Sequence, residues 1–403
     1  MMYKTESHNI QYFFCMTFFF YGGYCIYTSY MVLYLTEQGY SAFFCGFVTS
    51  LTFLINIMIQ PMASYLVDTF ISIKYYMAFS IGMMVLLSLF AIWTVATPWL
   101  CIMIGAMAVF IMPFSYLLDA WIDSARELDP RLTYGTIRAG GSIGFGITSF
   151  VFGYCWVYFG HSIYFPVQAI LFAFIFLFLW RLTNIIPKNR RKSSKVLANT
   201  KEDQALTFLE SLNTLVKNRQ YRIVVAFFLL YWTSHRLVGS YLVLIVQSRN
   251  GDAGLFGLIV GVGAVTEAIA MIILATRRNL ISLERMLILT FLTACIRPFI
   301  LLLTTNVVLM IVAQIMQSVS FALYYVSSIE ALHKLADERI RAFSITIGLS
   351  LTNVCGTVIA NLVGGWLCDI FGTGSVIMSS MIVTTINTAL FYICARGAIA
   401  DIG

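Results

Sequence analysis

Of the 403 residues, 60% are hydrophobic, 15% aromatic and only 11% charged. Soluble globular chains run nearer about 45–50% apolar and ~25% charged, so this composition excludes a soluble domain and points to a membrane protein. The net charge of +7 sits in the connections between apolar stretches, which speaks for membrane topology rather than for nucleic-acid binding.

A helix that crosses a bilayer takes about 20 mostly apolar residues. Twelve such stretches are predicted, at roughly 10–35, 42–67, 75–96, 99–121, 134–158, 162–182, 221–247, 254–276, 284–304, 306–331, 341–367 and 374–395. The first has neither a basic leader nor a small-residue cleavage site, so it is expected to be a retained span. Of the 25 Lys and Arg, only Arg249 falls in a connection on the second side, while Arg138, Arg236 and Arg297 fall within spans. All the others, from Lys4 to Arg396, lie on the first side, which predicts a cytoplasmic location for both termini and for the central connection.

That connection, 183–220, divides the spans six and six. It begins as a basic, polar linker, and Leu206, Leu209, Leu212, Leu215 and Val216 then recur at the spacing of an interfacial amphipathic helix. The expected fold is an all-α membrane protein with twelve transmembrane helices in two pseudo-symmetric six-helix bundles, 1–182 and 221–403. A weak internal echo agrees: the fifth span runs from Arg138-Ala139 to Gly160, and the eleventh from Arg341-Ala342 to Gly372.

Ionisable groups inside a bilayer are expensive and mark function or structural pairing. The fifth span carries Arg138 together with Gly140 and Gly144, small residues four apart that let a neighbouring helix come close. Asp119 and Asp123 share a face of the fourth span. With Arg138 they can bind a polar ligand or form a structural ion pair. Glu267 and Arg297 lie near the middle of successive spans, as a proton-coupling pair or a permanent salt bridge. A carboxylate moving between a charged partner and a desolvated site takes up and releases a proton. His235 is either a further proton carrier or a side chain bonded to a neighbouring helix.

Aromatic residues crowd the first span from Phe18 to Tyr21. Tyr24, Tyr27 and Tyr34 share a face there, suited to stacking on sugar rings or to anchoring at the lipid interface. Pro61 and Pro113 mark expected kinks, and Pro298 beside Arg297 is expected to free a carbonyl at a functional depth. The nine cysteines are scattered singly, without metal-ligand spacing, and read as free core residues. No phosphate-binding loop, zinc-protease motif or nucleophile elbow is present, so no enzymatic activity, cofactor or metal is expected.

Several stretches together resemble the major facilitator superfamily, and within it the lactose permease and phenylpropionate permease branch. Gln60-Pro61 through Leu66, Asp68 and Lys74 is similar to the family's gating loop between spans 2 and 3, with Ser64 and Ile73 in place of its glycine and arginine. Tyr134-Gly-x-Ile-Arg138 followed by Gly141-Ser-Ile-Gly-Phe145 matches the span-5 motif, with Gly140 replacing a tryptophan. Ser234-His235, Gly261 to Glu267, Arg297, Ser320-Phe-Ala-Leu-Tyr-Tyr325 and Gly364-Gly-x-Leu-x-Asp369-x-x-Gly372 also fit.

The resemblance implies that Asp123 and Arg138 grip a substrate. Phe145 stands where lactose permease stacks a tryptophan on its sugar, and Arg297 matches that permease's coupling arginine. Three positions depart from the pattern: the family's span-10 glutamate and histidine are Ser320 and Gln317, and its span-11 lysine is Asn353. A coupled proton must therefore use Glu267, Asp119 or His235.

The expectation is a monomeric, multi-pass secondary transporter of the inner (plasma) membrane. Its partners would be a small-molecule substrate, a proton and the lipid bilayer, with no nucleic acid. It would import a small polar solute by alternating access, a sugar or oligosaccharide first and a small aromatic acid second. An exporter of drugs or metabolites is the alternative, although the proline usual in the span-5 glycine motif of such antiporters is absent from 134–158. A non-transporting membrane sensor or scaffold is the alternative of another class.

Overall fold

The computed structural model describes residues 2–93, 97–128, 134–182, 208–277, 281–336 and 340–395. Most of the basic linker (183–207), with Arg131, Arg278, Arg339 and Arg396, lies outside these residues. In lipid no water is present to bond exposed peptide groups, so an apolar chain satisfies them within helices. The helices are α1 (Met2–Ser29), α2 (Met31–Glu37), α3 (Ala42–Thr69), α4 (Ile73–Trp93), α5 (Thr97–Leu128), α6 (Tyr134–Phe159) and α7 (Tyr164–Leu179). After the linker come α8 (Phe208–Lys217), α9 (Arg219–Ser240), α10 (Leu242–Gln247), α11 (Ala253–Arg277), α12 (Leu283–Leu303), α13 (Val307–Leu335), α14 (Arg341–Phe371) and α15 (Thr373–Leu390).

Among the described residues, ten stretches are long and apolar enough to cross a membrane. One of them, Gly135–Leu179, holds both α6 and α7, separated by the tight turn Gly160–Ile163. The first and seventh expected spans are each interrupted once, at Tyr30 between α1 and α2 and at Tyr241 between α9 and α10.

The chain forms two compact units. Unit 1 holds residues up to Gln38, then Leu51–Glu202 and Ala253–Gly261; unit 2 holds Gly39–Ser50, Asp203–Asp252 and Val262 onward. Inside unit 1, α1 packs on α6 and α7, and α4 on α5 and α7. Inside unit 2, α9 packs on α14 and α15, and α12 on α13 and α15. The turns repeat too. Among the described residues, the positive-φ positions are Gly39, Gly160, Asn250 and Gly372, so the turn after α2 matches that after α10, and the turn after α6 matches that after α14. Left-handed backbone favours glycine, and asparagine is among the few other residues that tolerate it.

A buried tyrosine at each helix break ties a crossing in its own unit. In unit 1 the Tyr30 hydroxyl donates to the Ser149 carbonyl at 2.5 Å, and the Ser149 hydroxyl to the Gly257 carbonyl at 3.0 Å. In unit 2 the Tyr241 hydroxyl donates to the Asn361 carbonyl, while Asp369 accepts the first backbone N–H groups of α3, from Ala42 at 2.8 Å and Phe43 at 2.9 Å. A carboxylate at a helix N-terminus satisfies orphan donors and complements the helix dipole.

The amphipathic segment forms α8. Ser211 and Leu215 are buried and Glu210, Thr214 and Val216 exposed, the alternation that a one-sided helix requires. Leu215 joins a core with Tyr221, Leu332 and Leu335. Asn218 caps α9 by accepting the Tyr221 N–H at 3.1 Å, and donates to the Leu335 carbonyl at 3.1 Å. The linker's far end is thereby fixed to unit 2.

The neighbour admitted by Gly140 and Gly144 is α1. Phe14 lies against Gly140, Phe18 against Gly144 and Gly22 against Thr148, each step being four residues on both helices. Equal steps in the same direction describe a parallel crossing through small residues. At Gly144 the closest atoms are the Phe18 backbone, which cannot rotate away. Gly144→Val should therefore destabilise the protein by about 1–3 kcal/mol or more, the range for overpacking. A lower melting temperature of the detergent-purified variant checks this; an unchanged one refutes it.

Candidate functional site

Among the described residues, each unit holds a set of polar groups inside its helices that includes an arginine. In unit 1, Arg138 stands on the second turn of α6, half-buried, with its guanidinium 4.2 Å over the Tyr21 ring of α1. A cation over an aromatic face is worth about 0.5–2 kcal/mol, more as water is excluded. Phe145 lies two turns further along the same face of α6 and is also half-buried. Tyr24, one turn from Tyr21, is half-buried and contacts the Met112 sulfur at 4.0 Å.

The tyrosine stripe does not act as one surface. Tyr27 is fully buried: its hydroxyl donates to the Ile104 carbonyl at 2.8 Å, and its own carbonyl accepts from the Tyr164 hydroxyl at 3.3 Å. It ties α1 to α5 and α7. Tyr34 stacks on Tyr164 at 4.7 Å in α2, beyond the helix break. The two aspartates of α5 separate likewise. Asp119 is half-buried. Asp123 is exposed and pairs with Arg126 on its own helix at 3.8 Å. Both side chains of that pair are more than half exposed, so it contributes no more than about 1 kcal/mol.

At the expected gate, Asp68 is exposed near the end of α3. Lys74 opens α4 and donates to the Leu182 carbonyl at 2.5 Å and the Trp180 carbonyl at 3.3 Å, just past α7. A cation there satisfies carbonyls at a helix C-terminus. Arg249 does the same for α12, donating to the Leu301 carbonyl.

In unit 2, Arg297 is 5% exposed. Its guanidinium donates to the Gln314 side-chain oxygen at 3.1 Å, and the Gln314 amide donates to the Gln317 side-chain oxygen at 2.7 Å. Ser320 gives its proton to the Thr290 carbonyl at 3.1 Å, so the Tyr231 hydroxyl, 3.1 Å away, is the donor to Ser320. His235 is layered among Tyr231, Trp232 and Phe321, with ring centroids 5.4–6.0 Å apart and planes within 28°. A cavity of about 20 Å³ lies between Tyr231, Ser234, His235, Arg297, Gln317 and Ser320. That is room for one water, with hydroxyl, amide and guanidinium groups among mostly apolar walls.

Glu267 is half-buried on α11, one turn past Gly263, whose carbonyl accepts the Ser318 hydroxyl of α13 at 2.9 Å. The structure thus groups His235, Arg297, Gln317 and Ser320 around one cavity, and Glu267 is not among the residues that line it. Sequence reasoning missed Tyr21, Gln314 and Tyr231 as site residues. Tyr21 was findable, being three residues before Tyr24 on the same helix face. Gln314 and Gln317, three apart in an apolar span, carried a similar signal.

The described residues form an all-helical, multi-pass membrane protein with arginines and amides held inside its helices. The MFS_1-like family model matches residues 11–378, and the chain belongs to that family of major facilitator transporters. Among solved structures it is similar to a mutant form of the nucleoside transporter NupG, with 16% identity, a TM-score of 0.83, and coverage of 96% of this chain and 99% of that one. A POT family transporter in complex with a thioalcohol-conjugated peptide matches at 12% identity and a TM-score of 0.70, covering 96% of each chain. A bacterial homologue of the human lysosomal transporter Spinster matches at 10% identity and a TM-score of 0.71, covering 98% of each. These likenesses establish the fold. No curated protein matches the sequence.

Arg297→Ala should leave the Gln314 oxygen without its donor and enlarge the cavity. The expected loss is about 1–3 kcal/mol, read as a lower melting temperature in detergent. Equal melting of variant and parent would show that the pair contributes nothing.

Proposed function

We propose that the protein is a proton-coupled importer of a small polar solute that carries a sugar, working by alternating access. The observation that carries this reading is the half-buried Arg138 guanidinium lying on the Tyr21 ring inside the membrane, with Phe145 on the same helix face. Donors beside aromatic faces suit a ligand that offers both hydroxyls and a flat or apolar ring face. Sugars, oligosaccharides and glycosides have that character, and the resemblance to the lactose permease branch supports them. A nucleoside joins a ribose to an aromatic base, and the likeness to a nucleoside transporter supports that member of the class. Small aromatic acids come second.

In this reading Arg138, Phe145, Asp119, Asp123 and Tyr24 contact the solute, while Tyr27 holds α1 in place behind them. Glu267, Arg297 and His235 couple the proton, and Asp68 and Lys74 gate. Glu267 leads as the proton carrier because Gln317 and Ser320 cannot ionise. Two six-helix bundles, 1–182 and 221–403, supply twelve crossings. The protein acts as a monomer in the inner (plasma) membrane, with both termini and the linker cytoplasmic, as the distribution of Lys and Arg supports.

The test uses purified protein in liposomes that enclose a pH-sensitive dye. Uridine, simple sugars, glycosides and aromatic acids are added outside in turn. Proton uptake driven by one class would name the substrate and establish symport together. Silence across the panel from folded, inserted protein would replace symport with export or uncoupled transport. With an active solute in hand, Arg138→Ala should abolish transport while leaving expression intact. Normal uptake by that variant would remove Arg138 from the site. Glu267→Gln should keep solute binding and exchange but lose accumulation against a gradient, and unchanged accumulation would clear Glu267 of the proton role.

A further inference from the structure

We infer that Tyr21 and Gly141 are positioning residues for Arg138, forming a slot that holds its guanidinium in one plane before any solute arrives. The inference rests on the proposed role of Arg138 in binding, and deepens it. Three observations carry it. The guanidinium carbon lies 4.2 Å over the Tyr21 ring, which is itself 8% exposed. A Cβ placed on Gly141 would meet the Arg138 Nη1 at 2.8 Å, the Tyr21 ring at 2.7 Å and the Thr17 methyl at 3.1 Å. The Thr17 hydroxyl is already committed to the Phe13 carbonyl at 2.7 Å. The slot therefore has an aromatic wall, a methyl wall and a bare floor, and the guanidinium occupies the space that a side chain at position 141 would need.

An arginine in an apolar helix ordinarily extends towards water, with many rotamers open to it. Folding it back over Gly141 removes that freedom in advance, and ordering of this kind before binding raises affinity. It also fixes the plane in which the N–H donors point. A planar fork recognises two acceptors side by side far better than a mobile point charge does. The favoured solute class presents two neighbouring acceptors, such as adjacent sugar hydroxyls or a base carbonyl with its neighbouring nitrogen.

The test uses the full chain in proteoliposomes and two readouts. The first is modification of Arg138 by phenylglyoxal, followed by peptide mass spectrometry, which needs no solute. Parent and Tyr21→Phe, which keeps the ring, should be shielded alike. Tyr21→Leu and Gly141→Ala should react about five- to tenfold faster, the factor that loss of a partly desolvated cation–π contact implies. Gly140→Ala crowds Phe14 instead and should stay at the parent rate, separating the slot from general loosening of the helix pair. The second readout is uridine counterflow, where KM should rise by a similar factor in Tyr21→Leu and Gly141→Ala with the maximal rate kept. Equal modification rates in all variants would overturn the inference, and so would a Gly140→Ala rate matching that of Gly141→Ala. If uridine is not carried at all, the functional reading loses its nucleoside form, while the modification rates still decide the slot.

Discussion

The helix packing around Arg138 in unit 1 turns on how closely α1 approaches α6 at Gly144. Apolar helices in lipid gain nothing from leaving water, so their association rests on packing and on hydrogen bonds across the contact. Gly144 lets the Phe18 backbone come within reach, and one turn further along α1 the Tyr21 ring covers Arg138. The hydroxyl of Tyr27 and the carbonyl that receives Tyr164 then brace α1 from behind. The glycine pattern, the half-buried cation and the aromatic wall form one arrangement along the α1–α6 contact.

The second half of the chain follows the same plan as the first with different chemistry. Tyr241 repeats the placement of Tyr30 at a helix break, Asn250 the left-handed turn of Gly39, and Gly372 that of Gly160. Where unit 1 sets a cation against an aromatic ring, unit 2 sets one against amides, with Arg297 on Gln314 and Gln314 on Gln317. The repeated turns and tyrosines are scaffold, and the groups they carry have diverged.

Much of this was legible in the sequence, because hydropathy and charge are strong, local signals. The apolar stretches, the breaks at glycine-rich turns and the one-sided helix ending at Lys217 follow from residue spacing alone. The close helix approach at Gly140 and Gly144 was legible as well, although not its partner. The internal repeat was harder to see. Its clearest marks are backbone angles at Gly39, Gly160, Asn250 and Gly372 rather than residue identity, and the Arg-Ala echo at Arg138 and Arg341 was the weaker guide. Tyr27 shows the limit of face arguments: a shared helix face says nothing about whether a phenol meets a ligand or a carbonyl of another helix. Gln314 escaped notice because a neutral amide raises no alarm in hydropathy, yet it is the group that holds the buried guanidinium.

The amides around Arg297 have a consequence for charge itself. An amide side chain neither gains nor loses a proton near neutral pH, so the run from Arg297 through Gln314 to Gln317 is polar and hydrogen-bonded without adding a titratable group. The charge there is that of the Arg297 guanidinium. The membrane potential acts on such a charge with about 2.3 kcal/mol per 100 mV for full translocation. It is an electrical load, felt whenever the helix that bears it shifts along the field.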